Sequence, residues 1–311
     1  MRALAFVLML LVPSVALADD PMWTESRPLP GPGKLHGMYR GGMVLRVNPL
    51  GLFVSATLMA RTRLYASDSM ALRDNYLAFG GTTIITPAFA RVGAMLEVQP
   101  LSVLQINAAY ELIGFFKTFE FMQSYPSASA DSSDTQLKAL KAAGTNYATL
   151  GGIFTLGATL QLKVGPIALK SAFRALLYDM KLRDGDRVWY DSTLDIVSPK
   201  NGWVITDDTD LLFVTKFGFV AGARYSVTHS VMNAESYAAG ETPSAAFNPV
   251  THRLGPFFAY TFYDREGAKF NAPTLVLIAQ WWLNHRYRTG QDVKQAIPWL
   301  VIAFTYKGSI I

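Results

Sequence analysis

Apolar and polar residues alternate over long stretches of this chain, and the longest stretch covers residues 148–164. Leu156 and Leu160 share one parity there, whereas Thr155 has the other. Alternation with a period of two places the two sets on opposite faces of a β-strand. The pattern returns in residues 167–178 after a short turn, so the pair predicts a hairpin. Because roughly 9–11 residues of tilted strand cross a bilayer, both strands are long enough to span a membrane.

The same alternation predicts strands along most of the chain. The eleven predicted strands cover residues 35–47, 52–65, 87–98, 104–116, 148–164, 167–178, 187–197, 211–227, 254–263, 274–288 and 297–306. A single-chain bacterial barrel needs an even number. Either residues 22–27 add a short twelfth strand, or residues 187–197 belong to a loop and ten remain. The sequence predicts an all-β, antiparallel up-and-down transmembrane barrel of about 12 strands. A soluble sandwich competes, but its strands usually run only about 3–10 residues.

Three predicted turns share a Val-x-Pro-(Leu/Ile)-small-aliphatic pattern, at residues 47–52, 98–103 and 164–169. Proline presets the turn backbone, and the small residue lets the chain reverse. We interpret these as short periplasmic turns, and the long connections at residues 66–86 and 119–147 as loops at the outer end. Within the second loop, Ser132 or Ser133 is predicted to cap a short helix that Gly144 ends.

The N-terminal residues have the pattern of a secretory signal peptide. Arg2 precedes a short apolar run, and Ala16 and Ala18 form an A-x-A cleavage site. Residues 1–18 are therefore predicted to be removed, and residues 19–311 to form one barrel domain. The chain has no cysteine, which excludes disulfides, thiolate catalysis and cysteine-based metal sites. The formal net charge of +5 is mild and gives no reason to expect nucleic acid as a partner.

The signal peptide, the long hairpins and a strand close to the C-terminus together resemble bacterial outer-membrane β-barrel proteins with porin-like architecture. Aromatic residues near strand ends are interpreted as interfacial girdles: Trp281, Trp282, Tyr287, Trp299, Phe304 and Tyr306. Residues 299–306 look like the assembly signal of such proteins, although this chain ends in Ile311 rather than phenylalanine. The resemblance implies an outer-membrane location, contact with membrane lipid and lipopolysaccharide, and assembly by the barrel-assembly machinery. It implies no cofactor.

The four histidines do not reproduce the chemistry of known enzymatic barrels. Outer-membrane phospholipase uses a His-x-Ser pair on one strand face, whereas Ser230 directly follows His229 here and is predicted to face the other way. A serine from another strand could still partner His229, so a lipid hydrolase stays an alternative. The omptin-type protease joins acidic pairs to an Asp-His pair, but Asp207, Asp208 and Asp210 are predicted to lie in a solvated periplasmic turn. No H-E-x-x-H motif or other metal site is present in the sequence.

Sorting charges by strand parity predicts an interior with more cations than acids. The cations assigned to the lumen are Arg40, Arg46, Arg61, Arg63, Arg91, Lys117, Lys163, Lys170, Arg174, Lys216, Arg224, Arg286 and Arg288. The acids are Glu97, Glu111 and Asp210. Arg91 is predicted to lie opposite Glu111, and Glu97 opposite Gln105, as ordinary cross-strand pairs.

Arg63, Arg224 and Arg288 are predicted to lie at the outer rim, where arginines can contact lipopolysaccharide phosphates. The predicted basic lining of the lumen consists of Arg61, Arg91, Lys170, Arg174 and Lys216. A low-dielectric wall focuses the field of such charges on a passing ion. The leading hypothesis is an outer-membrane pore or small-solute channel that prefers anions. The alternatives are a structural or adhesion barrel without an open pore and, after it, a lipid hydrolase.

Overall fold

The computed structural model describes residues 32–118, 122–265, 268–289 and 297–310. The predicted signal peptide and the predicted short strand at residues 22–27 lie outside this part of the chain. The strands are β1 Leu35–Val47, β2 Gly51–Thr62, β3 Tyr76–Ile85, β4 Phe89–Leu101, β5 Leu104–Phe116, β6 Ser124–Tyr125, β7 Ala148–Val164, β8 Ile167–Met180, β9 Val188–Asp191, β10 Ile196–Pro199, β11 Asn201–Val214, β12 Phe219–Ser230, β13 Thr251–Thr261, β14 Asn271–Asn284 and β15 Trp299–Ser309.

Twelve of these strands form a closed antiparallel barrel, in the order β1-β2-β3-β4-β5-β7-β8-β11-β12-β13-β14-β15. The seam joins β1 to β15, with Met38 opposite Ser309 and Val47 opposite Leu300. Closure pairs every strand edge, as the bilayer requires because it contains no water to satisfy backbone groups. The predicted barrel and its strand number are confirmed.

The two faces of the wall have the predicted chemistry. On β7, Leu156 is 42% exposed, whereas its inward neighbour Thr155 is 8% exposed. Outward Phe173 on β8 is likewise exposed, and inward Thr159 is buried. An apolar outer face around a closed barrel is the surface that lipid covers. Among the described residues, no helix is long and apolar enough to cross a membrane.

Two predicted segments were wrong in detail. Residues 66–86 were predicted to be a loop but contain β3, and residues 211–227 were predicted to be one strand but contain the turn between β11 and β12. The apolar pattern of β3 is interrupted by Gly80 and Gly81. A Cβ at position 80 would lie only 2.0 Å from the carbonyl oxygen of Leu58, so close packing against β2 requires glycine there. Gly218, with φ +88°, makes the turn before β12.

The missed strand reverses the direction of the chain. We call the end where β1 begins and β15 ends the terminal end, and the opposite end the loop end. The β4–β5 and β7–β8 turns lie at the terminal end, but the β1–β2 turn lies at the loop end. The prediction that the three similar turns share one end is therefore wrong. The described parts of the long connections that follow β5, β8, β12 and β14 all lie at the loop end, which corresponds to the outer surface in barrels of this kind.

The remaining strands form a second sheet, which we call the inner sheet, in the order β10-β9-β6. Residues 187–197, predicted as a possible barrel strand, contribute β9 and β10 to it instead. A helix, α1 Asp134–Ala142, lies in the connection from β5 to β7. The Ser133 hydroxyl accepts from the backbone N–H of Gln136 and caps it, and Gly144 follows with φ +65°, so the predicted helix is confirmed.

Candidate functional site

The inner sheet packs against the inner face of the barrel wall through aromatic side chains. Trp189 of β9 is buried, with its ring 5.8 Å from that of Phe115 and 5.3 Å from that of Tyr178. Phe89 continues this cluster from Phe115, at 5.2 Å between centroids, towards Phe53. These residues belong to one buried apolar cluster, so the inner sheet is a packed part of the barrel interior.

Arg46 connects β1 to the segment between β9 and β10. Its side chain is 2% exposed and donates hydrogen bonds to the carbonyl oxygens of Ser192 at 2.6 Å and Thr193 at 2.5 Å. A third bond, of 3.0 Å, goes to the Pro49 carbonyl oxygen, and the guanidinium lies over the Phe53 ring. The sequence predicted an inward Arg46, but two of its three hydrogen-bond partners, Ser192 and Thr193, lie far along the chain.

Asp195, also between β9 and β10, is the centre of a second set of contacts. Its carboxylate accepts bonds from Arg288 Nε at 2.8 Å and from the Tyr190 hydroxyl at 2.6 Å. Arg288 also binds Asp134 of α1, at 2.7 Å. Arg288 is 3% exposed, so the prediction that it contacts lipopolysaccharide at the rim is wrong. Its acidic partners lie in two separate loops, and spacing along the sequence does not reveal them.

His285 supports the same segment in its neutral form. Its Nε2 atom donates to the Asp195 carbonyl oxygen at 2.7 Å, and its Nδ1 atom accepts the backbone N–H groups of Tyr287 and Arg288. Burial lowers the pKa of His285, and the nearby Asp195 carboxylate opposes this only in part. Protonation of Nδ1 would remove both accepted bonds, since a protonated nitrogen cannot accept.

A cavity of about 270 Å³ lies inside the barrel, bounded on one side by Thr193 and Leu194 of the inner segment. Polar and charged groups form much of its wall: Arg40, Arg46, Thr57, Thr82, Arg91, Glu97, Gln105, Asn107, Glu111, Thr155, Thr159, Arg174, Thr206, Asp208, Thr228, Arg253 and Lys307. These side chains come from barrel strands on all sides, so the inward-facing residues of many strands line one cavity.

Ion pairs between barrel strands occupy part of this wall, and one of them joins β1 to β4 across the interior. Arg40 Nη2 lies 2.8 Å from Glu97, which also accepts from the Tyr76 hydroxyl at 2.6 Å. Arg91 forms an ion pair with Glu111, so the predicted interaction occurs. The predicted register is wrong, because Arg91 lies opposite Ile113 and Glu97 opposite Asn107. The irregular pairing between Val98 and Leu101 shifts the strands, and Arg91 reaches Glu111 diagonally.

The three aspartates predicted to lie in a solvated turn belong to β11. Asp210 is buried and binds Arg224 Nε at 2.7 Å, so Arg224 is not at the outer rim as predicted. Asp208 binds Arg174 at 3.2 Å, so this inward arginine has an acidic partner that the alternation of the sequence does not predict. Asp207 has the opposite parity and accepts from the hydroxyls of Ser171 and Thr209.

The other predicted basic residues are found in different surroundings. Arg61 faces the interior, with its guanidinium 3.6 Å from the centre of the Tyr76 ring. Lys170 is buried and lies opposite Asp210. Lys216 lies in the turn between β11 and β12 rather than on the inner wall, which corrects its assignment. Arg63 lies just after β2 at the terminal end and donates to the Ser67 carbonyl oxygen, far from the predicted outer rim.

Arg253, which lines the cavity, was missed because the predicted strand began one residue later, at position 254. Its guanidinium lies 4.2 Å from the Trp299 ring centre and 4.8 Å from the Trp282 ring centre. Both tryptophans were predicted to belong to an interfacial girdle, but they face the interior and stack on this arginine. Extending the parity of β13 by one residue would have found Arg253, since Leu254 faces outward.

His229 and Ser230 lie on opposite faces of β12, as predicted. His229 has the outward parity, and Ser230 is buried and donates to the Val197 carbonyl oxygen at 2.6 Å. Among the described residues, no hydrogen-bonded serine accompanies His229, and its Nδ1 atom is buried without a partner. Another outward histidine, His252, does have a hydroxyl partner, since its Nδ1 atom lies 2.6 Å from the Tyr225 hydroxyl.

The closed barrel and its apolar outer face define a bacterial outer-membrane β-barrel protein. No family model matches the chain, and no curated protein matches it. Similar solved structures include KdgM porin, at 8% identity over 88% of this chain and 99% of that one, with a TM-score of 0.37. OccAB1 of Acinetobacter baumannii has 9% identity over 92% and 99%, with a TM-score of 0.39. The β domain of the Bordetella autotransporter BrkA has 11% identity over 90% and 100%, also with 0.39.

Proposed function

We propose that the protein is an outer-membrane channel for small solutes, closed at its loop end by the inner sheet in this conformation. The observation that carries the proposal is the polar cavity of about 270 Å³ within a barrel that crosses the membrane. A cavity lined by ion pairs and hydroxyls lowers stability relative to a packed apolar interior unless polar molecules inside it form hydrogen bonds with the lining. Water and small solutes are such molecules.

We further propose that the channel prefers anions. Glu97, Glu111, Asp208 and Asp210 each have an arginine partner within 4 Å. By contrast, Arg46, Arg61 and Arg253 take part in no ion pair with any residue the structure describes. Paired charges largely cancel at a distance, so these three arginines supply the field that a solute inside the barrel would feel.

Reversal potentials under a salt gradient test both parts of this proposal. The purified protein is reconstituted in planar bilayers, and chloride selectivity over potassium is expected. Arg61→Glu combined with Arg174→Glu should shift the selectivity towards cations. Lys216→Glu is the matched control, because it reverses a charge in the turn outside the inner wall and should change selectivity little. A wild-type channel that prefers cations would contradict the anion preference.

The packed inner sheet favours a second candidate, a structural barrel that never opens. Trp189 is 2% exposed within the apolar cluster, and a permanently closed barrel would need such packing. This candidate predicts no conductance from the wild-type protein or from a variant in which the inner sheet is loosened. Conductance in either protein would exclude it.

A further inference from the structure

We propose that Arg253 forms an anion-binding subsite in the cavity, for the carboxylate or phosphate group of a small solute. This proposal specifies the chemical group that the anion-preferring channel would bind, and it therefore rests on the proposed function. Arg253 is 8% exposed and lines the cavity.

Two tryptophans fix the orientation of this arginine. The ring centres of Trp299 and Trp282 lie 4.2 and 4.8 Å from its guanidinium carbon. A guanidinium held over aromatic rings keeps its N–H donors for oxygen acceptors, and Arg253 donates none of its five to a described residue. The planar fork is therefore oriented before any ligand arrives, which lowers the entropy lost on binding.

The donors of Arg253 are not used by the rest of the described chain. Arg40, Arg91, Arg174 and Arg224 each bind a carboxylate. Arg253, by contrast, makes no hydrogen bond or ion pair with any described residue. The guanidinium of Arg253 lines the cavity, and a fork of this shape matches the two oxygens of a carboxylate or phosphate.

Neighbouring strands add hydroxyl groups to the same wall. Thr206 and Thr228 lie opposite each other on β11 and β12, and both line the cavity. The Thr206 hydroxyl is buried without a hydrogen-bond partner in the described structure. On β12, Thr228 lies two residues from Ser226, which is opposite Arg253. The inner face thus presents hydroxyl donors next to the arginine.

The carboxylate of Asp208 keeps this region from being purely cationic. It lies opposite Ser226 and accepts from both Ser226 and Arg174. Its negative charge repels a multiply charged anion more strongly than a singly charged one. A small, singly charged oxyanion therefore fits the charges here better than a large polyanion does.

Isothermal titration calorimetry on the detergent-solubilised full chain tests the subsite without requiring ion flow. Sodium phosphate and sodium acetate are titrated separately, at an ionic strength held constant with sodium chloride. We expect saturable binding of at least one of them. Arg253→Gln should weaken it by about tenfold or more, as loss of a charge-assisted hydrogen bond does. Thr206→Val should weaken it by a smaller factor.

Lys216→Gln is the matched control, since it removes a positive charge from the turn between β11 and β12, away from the cavity lining, and binding should stay unchanged. Unheated electrophoretic mobility shows whether each variant is folded, and Arg253→Lys, which keeps the charge without the fork, serves if Arg253→Gln does not fold. No binding by the wild type, or equal binding by folded Arg253 variants, would overturn the subsite. Anion binding without conductance would refute the proposed channel but support the subsite. Conductance without anion binding would support the channel but refute the subsite.

Discussion

Replacing Arg46 with methionine should open the loop end of the barrel. Methionine keeps an unbranched apolar stem against Phe53 but removes the donors that hold Ser192 and Thr193. The two bonds of 2.5 and 2.6 Å join the barrel wall to the segment between β9 and β10. Their loss leaves two carbonyl oxygens without a partner inside a packed interior, and this favours the undocked segment.

The size of the effect follows from these two bonds. A hydrogen bond to a charged group contributes about 1.5–3 kcal/mol, so the lower value for each gives about 3 kcal/mol in total. At about 1.4 kcal/mol per factor of ten, the ratio of undocked to docked molecules should rise by about two orders of magnitude. A channel that is open for about 0.1% of the time would then be open for about 10% of the time.

Single-channel recording in planar bilayers measures the fraction of time spent open. Arg61→Met is the matched control, because Arg61 lies over the Tyr76 ring and donates to Met38 Sδ, and both of these partners belong to barrel strands. Hydrogen exchange of the β9 and β10 amides provides a readout that does not depend on conduction. If Arg46→Met neither opens the channel nor accelerates exchange in these strands, the reasoning about docking is wrong.

Three further outcomes are expected. Leu156→Asp should lower the free energy of unfolding by about 1–2 kcal/mol in guanidinium titrations in lipid, whereas inward Thr159→Asp should not, and equal effects would contradict the assigned faces. The neutral form of His285 stabilises the inner segment above its ordinary pKa of about 6.5, and this contribution is lost as pH falls through the lowered pKa. Conductance should therefore rise on acidification in the wild type but not in His285→Gln. Unheated protein in mild detergent should migrate faster than boiled protein, and identical mobility would argue against a closed barrel.

The sequence predicts the wall of this barrel wherever one face of a strand is uniformly apolar. In β7 and β8, leucines and a phenylalanine hold the outward parity and threonines the inward one, so both strands are recognised at nearly their full length. In β3, glycines at positions 80 and 81 remove the contrast between the faces, and the strand is missed. The glycine at 80 is there because of close contact with β2, which only the folded structure reveals.

The interior was harder to predict because parity gives the face of a side chain but not its partner. Inward Arg174 was predicted, but its partner Asp208 was placed in a turn, since three aspartates within four residues are typical of turns. The pairing of Asp195 with Arg288 could not be predicted from parity, because the two residues come together only after two loops fold into the barrel. Charge pairing across a barrel depends on register and loop placement, and neither can be read from local composition.

The seam between β1 and β15 has a consequence for how the barrel forms. Hairpins such as β7–β8 close across a two-residue turn, but Val47 and Leu300 are about 250 residues apart in the chain. Closing a loop of that length costs about 5 kcal/mol of chain entropy, which no single residue pair offsets. The seam can therefore form only after the other strands have brought its two edges close together. Until then both edges expose unpaired backbone groups that lipid cannot satisfy, so insertion into the membrane and closure of the barrel must be coupled events.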